Sequence, residues 1–416
     1  MYIVKVLVIG SGGREHAICW KISQNPKVDK IFCAPGNGGT HAEDKCTNID
    51  ITDIEELVNF ALESEIDLTV VGPENPLIEG MVDKFRSKGL NIFGPTSEAA
   101  MLEGSKIYSK DFMKKYRIKT AEYGVFNDKD EALKYIKECE YPVVIKADGL
   151  AAGKGVSICK NYKEARFTIE DFMVKDIFNG AGKNVVIEEF LEGVEASILT
   201  ITDGKSIIPF MSAKDHKQIY DGGKGPNTGG MGAISPNPYC SKEVLKDFEK
   251  NIMNPTLKGI QQENLDYIGI IFFGIMITKK GIYLLEYNVR MGDPETQAVL
   301  PLMKSDLVEL IEASLEGKLD KFDLQWEKGA CCSVVAASKG YPGKYSTGFT
   351  IEGMENSNNI FAAGVKIKNG EFITSGGRVL SVYGLGNNLD KAIESAYNNL
   401  KEVSFQGMYF RTDIGR

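Results

Sequence analysis

The sequence predicts a multidomain chain of α/β and α+β class: an amino-terminal parallel α/β sheet domain, a central module of apolar strands joined by glycine-rich loops and a small strand-rich α+β carboxyl-terminal domain. Three observations carry this. Continuous apolar runs alternate with helical segments over the first hundred residues, the pattern of parallel strands covered on both faces. Glycine-rich loops join apolar strands through the middle of the chain. Short β-patterned runs crowd together near the end, before one last helical segment. A length of 416 residues accommodates two to four domains, set here at 1–104, 105–326 (with a lid subdomain over about 121–190) and 327–416.

Residues 4–9 form an apolar strand ending in Gly10-Ser11-Gly12-Gly13-Arg14-Glu15-His16, followed by a helix over 17–23. Further strands are expected at 30–33, 68–71 and 90–93, with helices at 53–64 and 82–88. These strands end in the corners Pro35-Gly36-Asn37-Gly38-Gly39-Thr40, Gly72-Pro73-Glu74-Asn75-Pro76 and Gly94-Pro95-Thr96. All fall at the carboxyl edge of the sheet, where open α/β sheets bind ligands. The first corner is not a dinucleotide fingerprint. The third glycine of G-x-G-x-x-G falls on Glu15, and Ala34-Pro35-Gly36 stands where an acid should end the second strand. It reads as an anion site at a helix N-terminus, for a phosphate other than that of NAD, or else as a ligand-free tight turn.

Ser105 is placed to cap a helix over 106–115. Tyr141-Pro142-Val143-Val144-Ile145-Lys146 is a strand ending on a lysine, and a buried lysine needs an anionic partner, which a phosphate would supply. The loop that follows contains Gly149, Gly153, Lys154 and Gly155 and can fold over phosphates with backbone N–H groups and an ammonium. It is not a Walker A loop, because it leads into a strand instead of a helix. Val185-Val186-Ile187-Glu188-Glu189-Phe190-Leu191 is a further strand; its exposed backbone acceptors can hold an adenine, and Glu195 can take ribose hydroxyls. Asp215-His216-Lys217 precedes a dense glycine run over 221–233, which reads as a mobile loop over a site in preference to a linker. His216 is expected to be a structural hydrogen-bonding group. His16 and His41 sit apart from acidic clusters, which disfavours a His-based metal site.

The stretch Leu284-Leu285-Glu286-Tyr287-Asn288-Val289-Arg290-Met291-Gly292-Asp293-Pro294-Glu295-Thr296-Gln297 is the most informative. Glu286 and Asn288 lie two apart, so on a strand they share a face, and a carboxylate beside an amide carbonyl suits ligation of Mg²⁺. Arg290 continues the parity and adds a fixed cation. A metal beside an arginine suggests charge neutralisation during phosphoryl transfer; the plain alternative is a solvated strand end. Helices are expected over 301–315 and a third unit from 331, with short strands at 360–363, 365–368, 371–374 and 379–382 and a helix over 389–403. Gly376-Gly377-Arg378 is read as a turn in preference to a part of the nucleotide site.

Composition narrows the partners. A net charge of −8 with no Lys/Arg run argues against nucleic acid and anionic membranes. No stretch of some 18 uninterrupted apolar residues predicts a membrane span, and the start reads as a first strand, not a signal peptide. Eight scattered cysteines without Cys-x-x-Cys fit reduced thiols, so a cytoplasmic protein is expected, and a monomer.

Lys106 opening a helix, Lys146 with its glycine loop, Glu188-Glu189-Phe190-Leu191 and Glu286-x-Asn288 together resemble the ATP-grasp superfamily. Asp215-His216-Lys217, Gly225-Pro226-Asn227-Thr228-Gly229-Gly230-Met231-Gly232-Ala233, the run from Arg290 to Gln297 and the opening corner narrow the resemblance to the glycinamide ribonucleotide synthetase family, over nearly the whole chain. The resemblance implies that Lys106, Lys146, Gly149, Gly153, Lys154, Gly155, Glu188, Glu189, Phe190, Leu191 and Glu195 bind ATP, and that Glu286 and Asn288 hold Mg²⁺ (or Mn²⁺). Arg290, Gly292 and Asp293 would sit at the acyl-phosphate centre, with Asp215 and Lys217 nearby. Gly12-Gly13 and Pro35-Gly36-Asn37 would face 5-phosphoribosylamine, with Asn227 and Thr228 also on the substrate side. The implied reaction is ATP-dependent ligation of glycine to that amine through glycyl phosphate; another ATP-grasp ligase or carboxylase is the alternative. Met291 stands where the family usually has Phe, apolar for apolar, and the strand over 270–278 offers no Asp or Glu as a further metal ligand. The loops over 149–155 and 222–232 are the expected lids.

Overall fold

The computed structural model describes residues 4–151, 155–356 and 359–416. Five parallel strands form the amino-terminal sheet, in the order Cys46–Asn48, Val28–Pro35, Val4–Gly10, Leu68–Val71, Ile92–Phe93. The sequence predicts four of them. The edge strand Cys46–Asn48 escapes because its three residues are polar or half-buried and form no apolar run. Helix Gly13–Ser23 begins four residues earlier than expected, because Glu15 folds back and its carboxylate accepts the Gly12 N–H at 2.5 Å. Glu15 is only 2% exposed and fills the corner; a Cβ on Gly10 or Gly72 would come within 2.6 Å or 2.0 Å of its side chain. A carboxylate therefore occupies the space that a dinucleotide pyrophosphate would need.

The central region holds two antiparallel sheets. One carries Ile207–Pro209, Val194–Thr202, Gly269–Thr278 and Gly281–Asn288, in that order. The other, the expected lid, carries Tyr123–Phe126, Val185–Glu189, Val143–Ala147 and Val156–Cys159. The lid sheet has its own core, with Ile145 and Ile187 packed on Ala132 and Ile169 of its two helices. Helix Lys106–Lys115 is capped by Ser105, whose Oγ accepts the Tyr108 N–H at 3.1 Å, an arrangement worth about 1 kcal/mol. Asp148 of the glycine loop accepts from Ser105 Oγ (2.8 Å) and the Ile107 N–H (2.9 Å), which ties the loop to that helix.

The carboxyl-terminal sheet departs from the expected organisation. Its strand order is Lys214–Asp215, Gly232–Ser235, Ala330–Ser338, Arg378–Gly386, Ile360–Ala362, with Met408–Tyr409 also paired to Ala330–Ser338. Two strands thus come from the middle of the chain; Ala233 pairs with Ser333. The glycine run expected to be a free lid forms a hairpin, Gln218–Tyr220 against Lys224–Asn227, and then enters this sheet. A Cβ on Gly232 would stand 2.6 Å from the Ser333 carbonyl, so a glycine is needed for the strand to dock. Helix Leu389–Leu400 covers the sheet, and a core running from Val6 through Leu310 to Cys331 and Phe361 joins the three regions. His16 adds a polar clamp, its Nδ1 accepting the Ala362 N–H at 2.7 Å. Among the described residues no helix is long and apolar enough to cross a membrane.

Candidate active site

A cleft of about 450 Å³ with a side pocket of about 140 Å³ opens where the three regions meet. Its floor is strand Gly281–Asn288. The pairing with Gly269–Thr278 slips between Gly274 and Ile275 and leaves Leu285 as an extra residue, a bulge of the kind that re-aims side chains. The carbonyl of Leu285 accepts Lys146 Nζ at 3.2 Å. Glu286 lies opposite Gly274, where a Cβ would stand 3.3 Å from Glu286 Cγ. Glu286, Asn288 and Arg290 all line the cleft. Arg290, however, is not on the strand as expected, since the ladder ends at Asn288. Two acids pin it instead: Nε meets Glu74 at 3.1 Å and Nη2 meets Glu103 at 3.0 Å.

Four cations surround Glu286. Burial alone would raise its carboxyl pKa, but Lys217, Lys146, Lys106 and Arg290 together hold it below the usual range. Glu286 is therefore ionised and ready for a cation. Lys146 has a protein partner, which the sequence did not reveal: Glu188 Oε1 lies 2.8 Å from Lys146 Nζ and 3.1 Å from Lys110 Nζ. Burial lowers the Lys110 pKa to about 8 against the pull of Glu188. Phe190 and Leu191 line the outer cleft, as does Glu189, which also ties its strand to Glu122 (3.0 Å). Gly155 lines the side pocket; Gly149 is held behind it by the Ala181 carbonyl (3.1 Å). Gly153 and Lys154 lie outside the described residues. Among the described residues no group of three or more His, Cys, Asp or Glu could hold a metal. One acid and one amide fit Mg²⁺, which keeps water and phosphate oxygens for its remaining positions.

The opposite wall comes from the woven segment. Lys217 Nζ meets Glu195 at 2.7 Å; burial opposes its charge, but Glu195, Glu286 and Asp215 outweigh that and raise its pKa. Thr228 Oγ1 donates to the Lys217 carbonyl (2.7 Å) and accepts the Gly230 N–H (2.9 Å), and Asn227 lines the cleft beside it. His216 is structural, as expected: Nδ1 lies 3.2 Å from the Gly232 carbonyl and Nε2 accepts the Gly415 N–H at 3.2 Å. Burial, then Lys214 and Arg411, pushes its pKa down to about 4. The folded chain thus refuses a proton that the unfolded chain takes near pH 6.5, so this contribution to stability is whole above pH 6.5 and shrinks as pH falls towards 4. The wild type is expected to lose about 3 kcal/mol more than a His216→Gln variant between pH 7 and pH 4, read from urea unfolding. Equal losses would refute it.

Asp293 joins all three regions. Its Oδ1 receives Gln297 Nε2 at 2.8 Å and Arg378 Nη1 at 3.2 Å, and a Cβ on Gly12 would stand 3.2 Å from its Oδ2. Burial would raise its pKa, but Arg378 and Arg14, with help from Gln297 and Arg290, hold it low. Arg378 lines the cleft, which corrects the reading of Gly376-Gly377-Arg378 as a mere turn. Gly13 lies against Gln297, at 2.6 Å for a Cβ. Gly292 makes room for Glu295, whose Oε2 would lie 2.4 Å from a Cβ there. The second corner packs against the first. Asn37 is 7% exposed; its Nδ2 donates to Ser11 O (2.9 Å) and Ala362 O (2.8 Å), while Oδ1 accepts from Gly39 and Thr40. Its side chain caps a helix and joins two regions. Gly36 has φ +71° and leaves no room for a Cβ beside Asn48 (2.2 Å), and Pro35 precedes it in the same packed turn.

Sequence reasoning missed Arg14, Glu74, Glu103, Lys110, Glu295 and Arg378. Lys110 had a signal, because it lies one helical turn after Lys106 and so shares its face. Glu74 stands in a corner at a strand's carboxyl end, and Arg14 and Glu295 fall inside the motifs quoted above. Glu103 had none.

Two antiparallel sheets, with lysines converging on an acid–amide pair in the cleft, define an ATP-grasp enzyme. Two solved structures share this fold at low identity. The biotin carboxylase from Campylobacter jejuni, in complex with β-γ-ATP, has a TM-score of 0.75 at 15% identity over 98% of this chain and 93% of that one. The biotin carboxylase domain of the Hydrogenobacter thermophilus 2-oxoglutarate carboxylase has a TM-score of 0.74 at 18% identity over 99% and 92%. Residues 4–103, 104–296 and 331–416 match the N, ATP-grasp (A) and C domains of phosphoribosylglycinamide synthetase. The chain belongs to that family. It is 64% identical over 414 residues to the phosphoribosylamine–glycine ligase of Clostridium acetobutylicum, covering 99% of this chain and 100% of that one. The Fusobacterium nucleatum ligase of the same name is 56% identical over 418 residues, covering 99% and 98%. The crystal structure of the Thermotoga maritima phosphoribosylamine–glycine ligase aligns with a TM-score of 0.88 at 36% identity, over 99% of this chain and 100% of that one.

Proposed function

We infer that this enzyme joins glycine to 5-phosphoribosylamine at the expense of ATP, giving glycinamide ribonucleotide, ADP and phosphate. The observation that carries the reading is the ring of Lys106, Lys146, Lys217 and Arg290 around an ionised Glu286, in a cleft shared by all three regions. Such a ring suits a triphosphate and a substrate carboxylate together. Glycine's carboxylate is a poor acyl donor because oxide is a poor leaving group. Transfer of the γ-phosphoryl group to it makes glycyl phosphate; the amine nitrogen then attacks the carbonyl carbon and phosphate departs. The protein's contribution is position and charge.

Glu286 and Asn288 are assigned to hold Mg²⁺ (or Mn²⁺), which supplies charge neutralisation at the phosphates when bound. Lys106 and Lys146, with the loop of Gly149, Gly153, Lys154 and Gly155, hold the phosphates. The strand end at Glu188, Glu189, Phe190 and Leu191 takes the adenine, and Glu195 the ribose. Arg290, oriented by Glu74 and Glu103, meets negative charge on the transferring group. Asp293 is assigned to hold Arg378 and the Gly12-Gly13 corner beside the acceptor amine, not to move a proton, since Arg378 and Gln297 already share its Oδ1. Asn227, Thr228 and Gly292 shape the substrate side. The lid is the sheet around residues 121–190, because the glycine run over 222–232 is anchored. All eight cysteines are free thiols, which supports the cytoplasm.

The test is ADP release as glycine and phosphoribosylamine are varied. Release is expected only with both present. Release driven by bicarbonate, or by another acid and amine in preference, would overturn the assignment.

A further inference from the structure

One buried carboxylate of the lid is matched by two lysines. Glu188, on strand Val185–Glu189, has its Oε1 between Lys146 Nζ at 2.8 Å and Lys110 Nζ at 3.1 Å. All three side chains are buried, and the two ammonium groups repel each other across the acid. One cation would suffice to neutralise Glu188, so one is in excess. The surroundings show which. Lys110 comes from helix Lys106–Lys115, outside the lid, and is anchored. Its Nζ donates to Thr120 Oγ1 at 2.7 Å, and that hydroxyl donates to the Leu284 carbonyl of the cleft floor at 2.6 Å. Its ammonium lies 5.3 Å from the centre of the Tyr123 ring, and the Tyr123 hydroxyl donates to the Lys110 carbonyl at 3.2 Å. Lys110 lines the side pocket alone. Lys146 reaches the side pocket and the main cleft, and besides Glu188 it meets only the Leu285 carbonyl, at 3.2 Å, among the described residues.

We propose that Lys110 is a positioning residue for ATP: it neutralises Glu188 and thereby leaves Lys146 free to turn to the phosphates. This rests on the assignment of Lys146 to the phosphates above. With Lys146 as its only partner, Glu188 would hold that lysine in place. A triphosphate would then have to break a buried ion pair and leave a bare carboxylate behind, which is the costly way to open such a pair. With Lys110 in place, Glu188 keeps a cation when Lys146 departs. The repulsion between the two ammonium groups is relieved in the same movement. Lys110 suits the phosphates less well itself, because Thr120, Glu188 and the Tyr123 ring already surround its ammonium and it does not line the main cleft. Its anchorage has a second effect. Glu188, Lys110, Thr120 and Leu284 form a chain of contacts from a lid strand to the floor strand Gly281–Asn288, so the lid end of the site is tied to the strand that carries Glu286.

The experiment measures, by calorimetry on full-length enzyme without glycine, the binding of ATP and of tripolyphosphate, which is the phosphate chain without base or ribose. Lys110→Met is expected to raise both Kd values by about tenfold or more, the worth of a hydrogen bond to a charged group. Glu188→Gln should bind tripolyphosphate more tightly than wild type, since it releases both lysines. The double variant Lys110→Met with Glu188→Gln is the deciding case. Its Kd for tripolyphosphate should return to within about threefold of wild type, because no carboxylate then holds Lys146. A merely structural Lys110 would lower Tm and leave the double variant binding no better than the single one, and that result overturns the proposal. Lys110→Met with both Kd values unchanged overturns it too. So does a variant in which only ATP is weakened, since that places the effect at the base, and so does weaker tripolyphosphate binding by Glu188→Gln. Wild type that binds ATP but releases no ADP with glycine and phosphoribosylamine overturns the assigned reaction instead, a failure that these binding measurements do not share.

Discussion

Glu286→Gln is expected to reduce ADP release by about 10³-fold, the several kcal/mol that a bound metal supplies to a phosphoryl transfer. The amide keeps the shape and one oxygen but removes the charge. In the native cleft that charge stands among Lys217, Lys146, Lys106 and Arg290. The substitution leaves four cations facing one another, so the ligand-free variant should also melt below wild type. Triphosphate without metal should then rescue stability but not turnover, since it restores negative charge and not the bridge. A variant that keeps wild-type ADP production at saturating Mg²⁺ would remove Glu286 from the metal site.

Arg290→Ala is expected to lower turnover by about 10² to 10³-fold, as loss of a preorganised charge donor does elsewhere. It should also destabilise the fold by about 3 kcal/mol or more, because Glu74 and Glu103 lose the guanidinium between them. Burial already pushes the Glu103 carboxyl up even with Arg290 present, and without it this acid will hold a proton at higher pH still. A carboxyl whose folded pKa exceeds its unfolded one gives the native state the extra proton. The stability deficit of the variant should therefore narrow as pH falls from 8 to 5. Lysine should restore only part of either effect, since a point charge cannot span two acids as the guanidinium fork does. Near-wild-type turnover at saturating substrates, or a deficit independent of pH, would contradict this account.

The parts of the site that could be read from the chain were local. Glu286 and Asn288 declare themselves through strand parity, and Ser105 with Lys106 through a helix start, because neighbours in sequence are neighbours in space there. The amino-terminal sheet was legible for the same reason, apart from its polar edge strand Cys46–Asn48. What escaped depends on contacts across the chain. Arg290 meets Glu74 from 216 positions away and Glu103 from 187, and no periodicity encodes such a pairing. The run over 222–232 borders the cleft at Asn227, Thr228 and Gly229, but its hairpin and sheet pairing were not legible, because glycine density signals freedom locally. Here several of those glycines instead admit a neighbouring backbone or side chain: Gly232 takes the Ser333 carbonyl, and Gly230 takes Pro294 and Asp215.

The strands Lys214–Asp215 and Gly232–Ser235 sit at one side of a sheet whose other members begin at Ala330. The apparent seam in the gene near residue 325 is therefore not a seam in the molecule. A polypeptide ending there would carry Asp215 and Lys217 on an orphan β-ribbon, and the remainder would expose the flank that the ribbon had covered. Evolution or engineering can lengthen the connection across that point, but separating the halves asks each to be born with a raw edge that only the other can heal.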